Sequence, residues 1–495
     1  MKSDILMTCI VAAVTIGLLA GCAVGPDFQR PAGPGVSAYT PTPVPARTAA
    51  APTATGASQR FVAGGAVEPR WWRQLGSPGL EALIDSALQD SPTLAAAQAT
   101  LRQAEEVYAA RAGSTRYPQV DANLGGQRQR FNPSTSGQAG EAREFSLYNA
   151  GVSVRYTFDA AGGNRRALEA LAAKVDYQRF QLDGARLTLA ANIVTTAVSR
   201  ARLAAQVEAT EAILTAQDSQ LRLTRERQRL GQAAPDEALA LQTQVEQTRA
   251  SIPLLRQQRQ RNEHLLAVLV GQAPGTAGLP AIALAELTLP VDLPLVVPSE
   301  LVRQRPDIQA AEALLHAANA EYGVAVARLY PQLNLSANLG SQALTTGALF
   351  GSGSAVWNLV GQLTQPLFNP GLPAEKRAAL AAFEAAAANY RSVVLEALRN
   401  VADVLRALDN DAQRLAALAA ADDAAQGFMA SIERQYALGA ANYVQLLIAQ
   451  QQAHRTRIAL LEAQADRLID SAAFYQAMGG GILSPAPAAT GDDGR

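Results

Sequence analysis

The chain contains two copies of one pattern, and this duplication limits the folds that are open to it. Tyr117–Gln119 returns as Tyr330–Gln332, 213 positions later, each time after an alanine-rich helical stretch. Further on, Leu230–Gly231 inside one helical stretch corresponds to Leu438–Gly439 inside another. Chance similarity between alanine-rich segments is the alternative, but the Tyr-Pro-Gln match falls at equivalent points of both halves. Each half is therefore predicted to run helix, strand hairpin, very long helix, turn, helix.

Four segments alternate apolar and polar residues in the manner of β-strands. They lie at 120–125, 148–158, 333–339 and 357–363. Alternation over about ten residues suits a transmembrane barrel strand, although a soluble half-buried sheet would show the same pattern. Because four strands cannot close a barrel and lipid does not tolerate open edges, membranous strands would require several chains to share one barrel. The links Gln127–Phe145 and Gln342–Ser354 would then be external loops.

Helical stretches in both halves carry the 3-4-3-4 apolar spacing of coiled-coil packing. The spacing is carried by Leu187, Ala190, Val194, Ala197, Ala201 and Ala204, and by Val394, Ala397, Val401, Val404 and Leu408. A helix from Arg165 to Leu230 would be ~100 Å long. A plain structural coiled coil explains this seam equally well. A hollow rod that continues a pore also explains why the helices are joined to alternating strands.

The first residues predict the cellular compartment. Lys2 precedes an apolar run from Ile5 to Ala20, which is shorter than the roughly 20 residues of a membrane span and is typical of a secretory signal. The run ends in Leu19–Cys22, which resembles the bacterial lipoprotein cleavage box. We therefore expect acylation of Cys22 and, because Ala23 rather than an aspartate follows it, sorting to the outer membrane. Several acyl chains would make the anchor stable.

Composition argues against several classes of function. Lysine plus arginine count 42 and aspartate plus glutamate 43, a near-neutral balance without the basic footprint of a nucleic-acid binder. The chain has two cysteines and three histidines, which are too few for a disulfide scaffold and argue against a Cys/His metal site. A Walker-type phosphate loop is missing, and the histidines lie in helical stretches without a nucleophile elbow. We therefore expect no enzyme activity, no cofactor, no metal and no nucleic-acid partner.

Five groups of motifs occur in an order known from one protein family. They are Gly21–Phe28, Trp71–Trp72 followed by Leu80–Leu88, Arg305–Glu312, Pro366–Gly371 and Phe474–Gly481. With these residues the chain resembles the TolC-like outer membrane factors, in particular the NodT-type outer membrane lipoproteins of RND efflux systems, over about residues 17–482. The family's usual Gly-Leu-Pro-Ser run is Val296–Ser299 here, and Ser77 stands where aspartate is common. Neither departure changes the assignment.

The resemblance implies a mainly α, internally duplicated chain that forms a homotrimer. Four strands per chain would give one 12-stranded barrel in the outer membrane, and the long helices would form a coiled-coil periplasmic tunnel. The expected segments are a signal peptide (1–21), a lipid-anchored Pro/Ala-rich tether (22–70), a first repeat (71–271, with strand hairpin 117–158 and long helices 165–271), an equatorial linker (272–298), a second repeat (299–482, with hairpin 331–368 and long helices 373–480) and a disordered tail (483–495).

The resemblance also implies two sites on the helices. The turns between them would form periplasmic tips that dock a periplasmic adaptor protein, through Gly231, Gln232, Pro235, Gly439, Ala440 and Asn442. Acidic residues near the second tip would ring a closed aperture, and the candidates are Asp422, Asp423 and Glu433. Ordinary helix-breaking turns and solvated surface charges are the alternatives for these residues.

The expected function is that of a passive outer membrane duct, which works with an adaptor and an inner-membrane RND-type pump. Its cargo would be small molecules such as antibiotics or other toxic compounds. The alternative is a lipid-anchored structural or adhesive trimeric coiled coil without a pore. A hydrolytic lipoprotein enzyme is less well supported, because no set of convergent catalytic groups is evident in the sequence.

Overall fold

The computed structural model describes residues 23–133, 137, 139–276 and 278–481, which form two compact units. The sheet-bearing unit consists of residues 23–30, Thr100–Gln178 and Ala311–Tyr390. The helical unit consists of Pro31–Ala99, Arg179–Ala310 and residues 391–481. The predicted signal peptide 1–21, the acylation site Cys22 and the predicted tail 483–495 lie outside the described residues.

Helices make up most of the described chain, and their lengths match between the two halves. The α-helices of the described residues are α1 (Pro78–Asp90), α2 (Pro92–Arg116), α3 (Gly163–Arg229), α4 (Pro235–Leu269), α5 (Pro298–Gln304), α6 (Pro306–Ala327), α7 (Gly371–Ala437) and α8 (Tyr443–Ala477). Helices α3 and α7 have 67 residues each, and α4 and α8 have 35 each. These equal lengths are what duplication of one unit produces.

The predicted coiled-coil seam lies in the core of the helical unit. Leu187, Ala190, Val194, Ala197 and Ala201 of α3 are buried, and so are Ala397, Val401 and Leu408 of α7. Because alanine leaves room for close approach of two backbones, these positions allow the helices to pack tightly. In the described part of the chain, none of the helices combines the length and the apolar character that crossing a membrane requires.

The sheet-bearing unit contains one antiparallel sheet with strand order β2-β3-β5-β6. The strands are β2 (Gln119–Phe131), β3 (Arg143–Phe158), β5 (Gln332–Ala343) and β6 (Ala355–Thr364). The register aligns apolar side chains across all four strands, as in the row Ala122, Val152, Leu339 and Trp357. The neighbouring row is Asp121, Ser153, Asn338 and Asn358, on the opposite face. The sheet therefore has one apolar face and one polar face.

The first predicted loop, Gln127–Phe145, is wrong in its extent. Strand β2 continues to Phe131 and β3 begins at Arg143, so much of the predicted loop is paired strand. The polar residues of this stretch suggested a loop, but Arg128 forms a cross-strand ion pair with Glu144 at 3.2 Å. Such pairing stabilises the end of β2, where residues 127–130 are polar on both faces.

Residues 31–70, the larger part of the predicted tether 22–70, lie on the helical unit as a strap held by specific hydrogen bonds. Buried Arg467 of α8 donates from Nη2 to Oε1 of Gln59 (2.9 Å) and to the carbonyl oxygen of Ala57 (3.2 Å). Gln59 donates in turn to the carbonyl oxygen of Pro290 (2.9 Å). Strand β1 (Arg60–Ala63) pairs in parallel with β4 (Asp292–Leu295). The strap thus joins α8 to the segment between the two repeats.

Residues 23–30 are held on the sheet-bearing unit by a buried cation. Arg166 of α3 donates from Nη2 to Oδ1 of Asp27 (2.7 Å) and from Nε to the carbonyl oxygen of Val24 (3.3 Å). The ring of Phe28 stacks on His316 of α6 with centroids 4.3 Å apart. Arg166 is almost fully buried, whereas the Asp27 side chain is exposed, so the guanidinium holds the segment from inside the unit by charge-assisted hydrogen bonds.

Candidate functional site at the helix tips

Two helix reversals in the helical unit share one backbone geometry. At the first tip the amide of Gly231 donates to the carbonyl three residues back (3.0 Å), and that of Gln232 to the carbonyl five residues back (2.7 Å). Gly439 and Ala440 make the same two bonds at the second tip, at 3.1 and 2.8 Å. This pair of bonds is a Schellman motif, which needs a left-handed residue just after the helix. Gly231 (φ +72°) and Gly439 (φ +77°) supply it.

The helices that follow the two tips, α4 and α8, differ in how their N-termini are stabilised. Pro235 occupies the first turn of α4, where its missing N–H leaves no helical bond unmade. Asn442 caps α8 in a capping box with Gln445, and the two reciprocal bonds measure 2.9 Å each. The six residues predicted for the tips therefore lie at two structurally equivalent turns.

Three residues that sequence reasoning missed tie the two tips together. The hydroxyl of Tyr436 in α7 donates to the carboxylate of Glu237 in α4. The guanidinium of Arg227 in α3 lies over the Tyr436 ring, 5.4 Å from its centroid. Burial, together with the bond to Glu237, raises the pKa of Tyr436. The hydroxyl therefore remains a donor at neutral pH.

Exposed apolar side chains surround both tips. Leu230 and Leu438, the residues just before the two tip glycines, are 64% and 85% exposed. Leu223, Leu239, Val444 and Ile448 are also exposed on the flanking helices. A cluster of large apolar side chains in water is typical of an interaction surface. The repeated Leu-Gly pair was the sequence signal for it.

The three aperture candidates are in different environments. Asp422 is buried, accepts a hydrogen bond from the Thr456 hydroxyl (3.1 Å) and lies 3.7 Å from Arg457. Asp423 and Glu433 are exposed. Asp422 is thus engaged between α7 and α8, whereas the carboxylates of Asp423 and Glu433 lie on the surface of the helical unit.

Comparison with known proteins agrees with this architecture. The model of the outer membrane efflux protein family matches residues 83–272 and 297–480. The pyoverdine export outer membrane protein OpmQ of Pseudomonas putida is 32% identical over 455 residues, which cover 90% of this chain and 95% of that protein. The solvent efflux pump outer membrane protein SrpC of Pseudomonas putida is 29% identical over 471 residues, covering 94% and 96%.

Solved structures share the fold. The outer-membrane channel OprN superposes with a TM-score of 0.84 at 27% identity, covering 93% of this chain and 100% of that one. The Campylobacter jejuni CmeC outer membrane channel, at 19% identity, shares the fold with a TM-score of 0.80 and coverage of 93% and 95%. The predicted fold class, efflux function and outer membrane location are confirmed. The chain belongs to the outer membrane efflux protein family.

Proposed function

We propose that this protein is the passive outer membrane duct of a three-component export system, built as a homotrimer. The observation that supports this most directly is the four-stranded sheet, with one apolar face and with β2 and β6 at its edges. Leu124, on the apolar face of edge strand β2, is 81% exposed in the single chain. Unpaired edges and an exposed apolar face both require partners.

Three copies are the smallest number that leaves a passage. Two copies would supply eight strands, and a barrel of that size is filled by its own side chains. Three copies supply twelve strands. The apolar face would lie in lipid, and the polar face, which carries the cross-strand row Asp121, Ser153, Asn338 and Asn358, would face water. The 67-residue helices α3 and α7 would carry the passage into the periplasm as a tunnel.

The tips are the proposed docking site for a periplasmic adaptor protein. Gly231, Gln232, Pro235, Gly439, Ala440 and Asn442 shape the two turns, and Leu230 and Leu438 present apolar side chains beside them. An adaptor with complementary apolar residues would bury this surface. The energy for transport would come from an inner-membrane pump of the RND type, and the duct itself would carry out no chemistry.

The proposed cargo is small organic molecules. The relatives named above export pyoverdine and solvents, and a passive duct places few demands on cargo chemistry. At the periplasmic end, Asp423 and Glu433 are the proposed aperture residues, because three symmetric copies would bring their exposed carboxylates close together. Asp422 is better explained as a structural acceptor for Thr456.

The anchor proposal rests on the sequence of the first residues and on the segment that follows them. Acylation of Cys22 would fix the chain to the outer membrane. Val24, two positions later, donates its amide to the carbonyl oxygen of Ala161 at 3.0 Å, directly after β3. The lipid would therefore be tethered close to one end of the sheet.

Two neighbouring residues on β2 test the membrane assignment. Leu124→Arg would place a charge on the apolar face, whereas Asn123→Arg would place it on the polar face. In lipid the first change costs about 2–4 kcal/mol near the bilayer midplane, and the second costs little. In water both residues are exposed and both changes would be tolerated. We expect Leu124→Arg to abolish heat-modifiable trimers in outer membrane fractions, and Asn123→Arg to leave them intact.

Export itself is tested in a deletion strain. We expect deletion to increase dye accumulation and drug susceptibility, and the wild-type gene to restore both. Cys22→Ser should give lower amounts of membrane protein. A pore-free coiled coil would leave accumulation unchanged on deletion and would assemble equally well with either arginine variant.

A further inference from the structure

The helical unit contains a cavity of about 740 Å³ to which the export proposal assigns no ligand, although one residue of its lining, Glu433, is also a proposed aperture residue. It lies between α3, α7 and α8 and is bordered by Thr55 of the strap and by Leu284. Alanines of α3, among them Ala205, Ala209 and Ala212, form an apolar wall. A cavity of this volume is the size of sites that hold drug-sized organic molecules.

Two buried amide oxygens in the lining have no hydrogen-bond partner in the described part of the chain. Gln217 of α3 is 2% exposed and Gln450 of α8 is 8% exposed, and the side-chain oxygen of each has no hydrogen-bond partner among the described residues. Buried acceptors are normally satisfied, because leaving one unpaired costs free energy. A bound molecule with N–H donors would satisfy both oxygens.

The charged groups of the lining favour a positive ligand. Glu208 and Glu433 are exposed at the cavity and form no ion pair with any described residue. Arg457 also lines it, but its charge is offset by Asp422 at 3.7 Å. Burial, with the nearby charge of Arg455, lowers the pKa of His454, so this imidazole is neutral at pH 7. The lining therefore carries an excess of negative charge.

We propose that this cavity binds an amphipathic organic cation. Its apolar body would lie on the alanine wall, its N–H groups would donate to Gln217 and Gln450, and its charge would face Glu208 and Glu433. An organic anion of the same size would meet two carboxylates and two carbonyl oxygens. The site goes beyond the proposed duct and does not depend on it, because binding can be measured without transport.

Equilibrium dialysis of full-length protein in lipid nanodiscs tests the proposal, with the cationic dye rhodamine 6G as the probe and empty nanodiscs as background. We expect saturable binding with one site per chain. Glu208→Gln combined with Glu433→Gln should raise the dissociation constant at least tenfold. Ala209→Trp, which fills the cavity, should abolish binding. Each variant is checked by circular dichroism for unchanged helix content.

The matched control is Glu105→Gln combined with Glu106→Gln, which removes the same charge from exposed positions on α2 outside the cavity. This variant should bind like the wild type, and the anionic dye fluorescein should not bind. Absence of saturable binding would overturn the proposal, including the case in which a second copy of the chain covers the cavity. Equal losses in the two double variants, or undiminished binding to Ala209→Trp, would overturn it as well.

Discussion

The hydroxyl of Tyr436 donates a hydrogen bond to the carboxylate of Glu237, and this bond joins the two helix tips. Tyr436 lies in the last turn of α7 and Glu237 in the first turn of α4. The two halves of the duplicated chain are thus linked at the positions where each reverses direction. A hydrogen bond to a charged acceptor is stronger than one between neutral groups.

Tyr436→Phe should loosen both tips. The change removes the bond to Glu237 but keeps the ring under Arg227, and we expect a loss of about 1.5 kcal/mol in local stability. Hydrogen exchange measured by mass spectrometry should become faster at both tips. Tyr443→Phe is the matched control, because the buried Tyr443 hydroxyl has no hydrogen-bond partner among the described residues. Equal exchange in the two variants would show that the bond to Glu237 contributes nothing.

Substitution of the tip glycines should destabilise the protein because of their backbone conformation and not because of a steric clash. A Cβ added at Gly231 or Gly439 would meet no atom within 4 Å, but both residues have positive φ. We expect Gly439→Ala to destabilise the protein by about 1 kcal/mol in urea unfolding. Gly427→Ala in α7, where the added Cβ also has free space, should instead stabilise the helix by a similar amount. The prediction fails if both changes have the same sign.

The repeats, the strands and the tips could be predicted because each depends on local pattern. Alternation over a strand and a Leu-Gly pair at a helix end are set by residues close in sequence. The family resemblance then supplied the arrangement of these elements. The extent of β2 was misjudged, since its polar end is paired through Arg128 and Glu144, and a cross-strand pair has no signature within one strand.

Contacts between residues far apart in sequence could not be predicted. The strap is held by Arg467, which is more than 400 positions from Gln59. The Pro-rich sequence of the strap contains no pattern that predicts a bond between Gln59 and this arginine. The aperture candidates show the same difficulty. Asp422 and Asp423 are adjacent in sequence, but a helix turns about 100° per residue, so one is buried against Thr456 and the other is exposed.

The neighbouring aspartates predict opposite outcomes on mutation. Asp423→Ala should raise single-channel conductance in planar bilayers, because it removes one repelling and cation-binding carboxylate from each of three copies. Glu433→Ala should do the same. Asp422→Ala should leave conductance unchanged and lower stability by about 1 kcal/mol, because it removes one hydrogen bond between α7 and α8 while the Thr456 hydroxyl keeps the carbonyl oxygens of Gln452 and Ala453 as acceptors. Unchanged conductance in both Asp423→Ala and Glu433→Ala would refute the aperture assignment.

The strap should be released more often from the helical unit when the guanidinium of Arg467 is replaced by the ammonium of lysine. Lysine in its place keeps the charge, but its single nitrogen cannot replace both Nη2, which donates to Gln59 and Ala57, and Nη1, which donates to the carbonyl oxygen of Leu408 at 3.4 Å. We expect Arg467→Lys to increase the rate of trypsin cleavage after Arg47 and Arg60 at least fivefold, because cleavage requires local release of the backbone. The control is Arg414→Lys, a half-exposed α7 residue that pairs with Asp466 at 2.7 Å. Equal cleavage rates in the two variants would count against the proposed hold of Arg467 on the strap.

Asp470 should make the stability of the helical unit depend on pH. Burial, followed by the neighbouring Asp411 and Asp466, raises the pKa of Asp470 to about 8. In the unfolded chain its pKa is about 4, so between these values the folded protein holds a proton that the unfolded chain has lost. The stabilisation from this group is therefore fully present at low pH and is lost as pH rises toward 8.

We expect the thermal unfolding midpoint of the wild type, followed by circular dichroism, to be a few degrees lower at pH 9 than at pH 5. Asp470→Asn, which stays neutral, should flatten this dependence, whereas Asp403→Asn at an exposed site on α7 should preserve it. A wild-type midpoint that does not change with pH would mean that Asp470 ionises normally in the folded protein.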